Sequence, residues 1–165
     1  MTSLSTVKVG MADLGVLVGA GSLKTTGLGS CVGLTLHDPV ARVSGMAHIM
    51  LPTSSIAREG SNLNKAKYAD TAIPELIDRM QKSGAMTSRM VGKMAGGAQM
   101  FAFAATSESM RIGPRNVESC KAILAEYGIP LKGEDTGGNY GRTIELLGDT
   151  GILIIRSVNQ HIKEL

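Results

Sequence analysis

The sequence predicts an α+β fold, a layered α/β sandwich of mostly antiparallel or mixed sheet with two main helices. Three observations carry this reading. Strand-like runs dominate the first fifty residues and return at the end of the chain. Two internal stretches instead place apolar residues at helical spacing. The composition suits a packed core: of 165 residues, 43% are apolar and 19% charged. That length fits one domain, residues 1–165, able to bury a core without disulfides or metal. With no Trp, three Tyr and two Phe, the core must be built from Val, Ile, Leu, Met and Ala. The ten Met favour adaptable packing or an adaptable contact surface.

The elements follow in order. Val7, Val9 and Met11 alternate with Lys8 and Gly10, and Val16 to Val18 is a short apolar run, both strand signals. Gly19, Gly21 and Ser22 signal a turn. Cys31 to Leu36 (CVGLTL) and Val43 to Leu51 (VSGMAHIML) are β-like runs separated by His37-Asp38-Pro39-Val40-Ala41-Arg42. Asp-Pro initiates turns, because Pro fixes φ and Asp bonds the backbone that follows. A hairpin is expected, turning between Pro39 and Val40. Residues 52–64 are polar and turn-rich and predict a surface loop. From Lys65 to Ser83, Tyr68, Ala72, Leu76 and Met80 fall on one helical face, with Gly84 as C-cap. Pro74 either kinks this helix or opens a new one. Arg89 to Ala95 reads as a strand. Asn116 to Tyr127 reads as a helix capped by Asn116, with Val117, Cys120, Leu124 and Tyr127 as its stripe and Gly128 at its end. Arg142–Leu147 and Ile152–Val158 are strands joined by the turn Gly148-Asp149-Thr150-Gly151.

Charge, composition and patterning argue against several function classes. The net charge is +3, and the basic residues form no run of five. Nucleic-acid binding would call for a basic stripe and stacking aromatics, and neither is present. The aliphatic run Ile152 to Ile155 is too short to span a bilayer. Asp13 interrupts the only candidate signal-peptide stretch. Two cysteines far apart give neither a disulfide framework nor a metal knuckle. A cytoplasmic protein with reduced thiols, not membrane-inserted, is expected.

Chemistry concentrates around Gly27-Leu28-Gly29-Ser30-Cys31-Val32-Gly33. Glycines flanking a Cys permit a sharp turn and close approach of a substrate. The pattern resembles a nucleophile elbow with Cys in place of Ser. On context alone Cys31 reads equally well as a buried structural thiol. The hairpin adds a partner. A turn between Pro39 and Val40 makes opposite positions sum to 79, and Cys31 and His48 do so. Directly opposite residues share a face, and a slip of one residue would separate them. A free thiol is about 3% thiolate at pH 7. A neighbouring imidazole can take its proton, later protonate a leaving amine, and activate water against a thioester. A third group usually orients the imidazole. Thr25 and Thr26 lie just upstream, within reach if the glycine loop folds back. Backbone N–H groups at Gly29 and Ser30 are candidates for substrate or oxyanion binding.

The remaining polar residues point elsewhere. His37 borders the turn and is expected to face solvent. His161 lies in the C-terminal tail, so three histidines make no metal site. Cys120 falls on a helical stripe as core. Gly-Leu-Gly-Ser lacks the residues of a phosphate loop. Asp135 to Arg142 reads as a tight turn or as a loop bordering the active site.

Five segments together resemble the CheD family, the chemoreceptor glutamine deamidases of bacterial and archaeal chemotaxis. They are TTGLGSCVGLTLHDPVARVSGMAHIMLP (Thr25 to Pro52), KYAD (Lys67 to Asp70), AGGAQMF (Ala95 to Phe101), IGPRNVES (Ile112 to Ser119) and EDTGGNYGRTIEL (Glu134 to Leu146). They keep the family order and cover nearly the whole chain. The resemblance implies a Cys–His–Thr set, here Cys31, His48 and Thr25, the Thr lying six residues before the Cys. It implies deamidation of glutamines on the cytoplasmic helices of chemoreceptors (methyl-accepting chemotaxis proteins), with no metal or cofactor. It also implies binding to the phosphatase CheC, at a contact that includes Phe101. Pro74 departs from the family's usually regular helix. Two rival expectations use the same residues: a docking module for CheC and receptors with a secondary Cys–His pair, and a methylesterase acting on receptor glutamyl esters.

Overall fold

The computed structural model describes residues 5–56, 63–99, 111–158 and 161–165. Among these residues ten strands form two five-stranded mixed sheets. The outer sheet contains β1 (Thr6–Lys8), β3 (Ser22–Leu28), β8 (Arg142–Leu147), β9 (Leu153–Arg156) and β10 (Lys163–Glu164), in that order. The inner sheet runs β2 (Leu14–Val18), β5 (Val43–Ile49), β4 (Val32–Asp38), β6 (Val91–Gly96), β7 (Leu131–Thr136). Pairing is antiparallel except for β1 with β3 and β6 with β7. Helices α1 (Ala69–Lys82) and α2 (Ile112–Glu126) cover one face of the inner sheet. The expected α+β sandwich is therefore present, as three layers: helices, inner sheet, outer sheet.

Alternation along β4 and β5 explains the layering. Val32, Leu34, Leu36, Val43, Ala47 and Ile49 face the helices, against Ile73, Leu76, Met80, Cys120 and Leu124. Met46 and Cys31 face the outer sheet with Leu23, Leu28, Ile144, Leu146, Leu153 and Ile155. Both strands are buried on both faces, which is why they read as nearly continuous apolar runs. Each fully buried Leu or Ile contributes about 1.5–3 kcal/mol.

The hairpin forms, with its centre one residue later than expected, between Val40 and Ala41. Asp38 pairs with Val43, so residues 39–42 make the connection. The Asp38 carboxylate accepts from the N–H groups of Val40 (3.0 Å) and Ala41 (3.1 Å), and Arg42 takes a left-handed φ of 55°. The turn thus closes after four residues. Opposite positions sum to 81, and Gly33, not Cys31, stands across from His48.

Other boundaries differ for local reasons. Extended Tyr68 separates a 3-10 turn, Lys65–Lys67, from α1, which starts at Ala69 and passes through Pro74. Gly84 closes α1 at φ 105°, where the N–H groups of Gly84 and Ala85 bond to Gln81 O and Met80 O. Helix α2 starts at Ile112, so Asn116 is not its cap but a wholly buried interior residue. Strands β3 and β7 carry few strong apolar residues and were not expected. His37 is buried, not solvent-facing: it lies on β4 opposite Ser44, whose Oγ is 2.8 Å from His37 Nδ1. No helix of the described residues is long and apolar enough to cross a membrane.

Candidate active site

Thr25 and His48 meet between the two sheets. Leu23 and Thr25 point inward from β3, and His48 points outward from β5. Thr25 Oγ1 lies 2.7 Å from His48 Nδ1 and 2.7 Å from Val9 O. A hydroxyl carries one proton, and a carbonyl only accepts. The Thr25 proton is therefore committed to Val9 O, and Oγ1 accepts from Nδ1–H of His48. This network assigns the neutral imidazole its tautomer and leaves the lone pair on Nε2. Nε2 is buried and has no hydrogen-bond partner among the described residues. Opposite His48, Gly33 provides the room: a Cβ there would collide with Ile144 Cδ1 and lie 3.0 Å from Leu28 Cδ1.

Cys31 lies on the same face as His48, one place before β4. The difference of two between expected and observed register explains why the shared face survives: side chains alternate with period two. The pair is diagonal instead of directly opposite. Diagonal neighbours on one face lie about 7–8 Å apart at the backbone, within reach of an aromatic ring such as imidazole. No hydrogen bond joins Cys31 Sγ to His48 Nε2 in this state, and such bonds often tighten only when substrate is bound.

The loop carrying Cys31 is held by its carbonyls. Gly97 N–H donates to Cys31 O (2.8 Å), and Ala98 N–H donates to Gly29 O (2.9 Å). Asn116 Nδ2 donates to Ser30 O (2.9 Å) and Met50 O (3.0 Å). Gly96 allows the approach, because a Cβ there would collide with Cys31 O. Gly29 N–H bonds weakly to Gly27 O at 3.2 Å. The N–H groups of Ser30 and Cys31 meet no acceptor among the described residues.

Burial sets the resting charge. It pushes the Cys31 thiol up and the His48 imidazole down from their ordinary values. Both shifts favour neutral forms, so thiol and imidazole rest uncharged at neutral pH. Cys120 lies in the core between α2 and the inner sheet, where burial raises its thiol to about 12. His161 is exposed. Among the described residues no group of three His, Cys, Asp or Glu side chains could hold a metal ion. Phe101 lies outside the described residues. Val9 and Asn116 are contacts that sequence reasoning missed. Asn116 carried one signal, a polar residue on a stripe shared with Cys120 and Leu124.

The sequence model of the family described as CheD chemotactic sensory transduction matches residues 50–157, a segment that starts just after His48. Full-length relatives extend further. A protein of Halalkalibacterium halodurans named chemoreceptor glutamine deamidase CheD is 52% identical over 159 residues, covering 96% of this chain and 98% of its own. A Bacillus velezensis protein of the same name is 47% identical over 154 residues, covering 93% and 92%. Coverage that leaves out only a few residues takes in Thr25, Cys31 and His48. A match over more than half the chain, and relatives near half identity along almost all of it, place this chain in the CheD family.

Proposed function

We propose that this chain is a chemoreceptor glutamine deamidase in which Cys31 is the nucleophile, His48 the general base and acid, and Thr25 the residue that orients His48. The observation that carries this reading is His48 Nε2, a buried basic nitrogen without a partner, with its tautomer set by Thr25 and its ring on the face shared with Cys31. His48 Nε2 takes the Cys31 proton as sulfur attacks the carboxamide carbon. The tetrahedral oxyanion is met by the N–H groups of Ser30 and Cys31. As the C–N bond breaks, Nε2–H protonates the nitrogen, which leaves as ammonia. Neutral His48 then removes a proton from water, whose oxygen attacks the thioester. The thiolate leaves, regains its proton from His48, and glutamate is formed. Each step uses backbone and side-chain groups of this chain and water.

The substrate in this reading is glutamine on the cytoplasmic helices of chemoreceptors, which places the protein in the cytoplasm. This reading keeps CheC as the regulatory partner, with Phe101 at the contact. Ammonia release from a glutamine-bearing receptor fragment tests the core claim. Cys31→Ala and His48→Ala should each lower turnover at least about 100-fold, as loss of nucleophile or base does, while circular dichroism stays native. Wild-type turnover in Cys31→Ala overturns the assignment.

A further inference from the structure

We infer that Asn116 is a positioning residue for the Cys31–His48 pair, its side-chain amide taking the place of a strand rung that the hairpin leaves open. The inference rests on the hydrolase reading above and adds a residue to it.

The ladder itself shows what is missing. His48 uses its N–H and C=O on the β2 side, to Asp13 O and from Ala12 N–H. The Gly33–His48 rung is therefore a non-hydrogen-bonded one. Alternation makes Val32–Ile49 a bonded rung, Cys31–Met50 non-bonded, and Ser30–Leu51 bonded again. That last rung does not form. Leu51 N–H turns away to Lys67 O (3.1 Å), as does Met50 N–H (2.9 Å). The strands part at the residue that carries the nucleophile. Asn116, reaching in from α2, supplies the lost donor to Ser30 O and also binds Met50 O. One amide thus ties the residue before Cys31 to the residue two places after His48.

The amide orientation is fixed by its partners. Two carbonyls require Nδ2, so Oδ1 must point away, and Oδ1 is buried without a partner among the described residues. A residue serving only packing would not keep such an atom. Helix packing alone is served at the next turn by Cys120, on the same stripe and equally buried.

Cys120→Ala is accordingly the control, a core deletion in the same helix that leaves the clamp intact. Two readouts separate positioning from stability. The first is ammonia release from a glutamine-bearing receptor fragment, per folded molecule. Asn116→Ala should lose about 10- to 100-fold in kcat with KM within twofold, whereas Cys120→Ala keeps kcat. The second is the pH profile of Cys31 alkylation by iodoacetamide, followed by peptide mass spectrometry. It should shift in Asn116→Ala and match wild type in Cys120→Ala. If Asn116→Ala does not fold, Asn116→Ser, which keeps one donor, serves instead, with a smaller kcat loss and the same shift. Unchanged kcat and an unchanged alkylation profile in the folded variant overturn the inference. A shifted profile in a protein whose wild type releases no ammonia keeps the clamp and overturns the deamidase reading.

Discussion

At the residue scale the most consequential group is the hydroxyl of Thr25. Its single proton goes to Val9 O, which obliges it to accept from His48 and makes Nε2 the basic nitrogen. Thr25→Val preserves shape and removes both bonds. It frees the imidazole to take the other tautomer and leaves Val9 O and Nδ1–H buried and unpaired, at about 1–3 kcal/mol. Ammonia-release assays should show kcat reduced about 100-fold, with a lower urea midpoint, and Thr25→Ser should restore most of both. Equal activity in Thr25→Val and wild type would mean that another group orients the ring. The lowered His48 value keeps Nε2 unprotonated to below about pH 6.5, so kcat/KM should hold down to that pH and fall only on further acidification.

At the element scale the hairpin places the site. Strands β4 and β5 were visible as aliphatic runs, and Asp38-Pro39 marked the turn. The centre of the turn was not visible, because it depends on how the Asp38 carboxylate gathers two N–H groups and on Arg42 adopting a left-handed conformation. The pairing of Cys31 with His48 therefore carried the right face and the wrong rung. Strand β3 escaped notice for a related reason. Its inward Thr25 looks polar in sequence and becomes a buried contact only once the outer sheet lies over β5. Asn116 looked like a cap because Asn favours caps, whereas α2 begins a full turn earlier. Gly33 is the position where sheet stacking and chemistry meet. Gly33→Ala should drive a methyl into Ile144 and Leu28, costing about 1–3 kcal/mol by overpacking. Denaturation should show the loss, and activity should fall with it because His48 stands directly across.

At the scale of the whole molecule, burial of titratable groups defines a pH window of stability. His48 and His37 are held below their ordinary value, by burial first in each. The unfolded chain binds protons more readily there, so their contribution is complete above about 6.5 and is lost as pH falls. Asp38 is also held low: burial would raise it, and hydrogen bonds from Met86 N–H, Ala41 N–H, Arg89 and Val40 N–H outweigh that. Its contribution is present above 3.8 and lost on further acidification. The two thiols act in the opposite sense. Raised by burial, they stabilise below 9.0, and that contribution fades as pH rises, for Cys120 toward about 12. Urea midpoints measured from pH 5 to 10 should form a plateau between about 6.5 and 9, falling on both sides. Cys120→Ala should flatten the alkaline side.

The bond between Thr25 and His48 belongs to no single sheet: one end is fixed in each. The tautomer of the His48 imidazole therefore records whether the two layers are stacked in register, and nothing less than their separation erases it. On heating, loss of turnover should coincide with loss of the native fold, a single melting event read by two probes. An earlier loss of turnover would instead locate the first failure in the short loop around Ser30, whose own carbonyl is held by one asparagine.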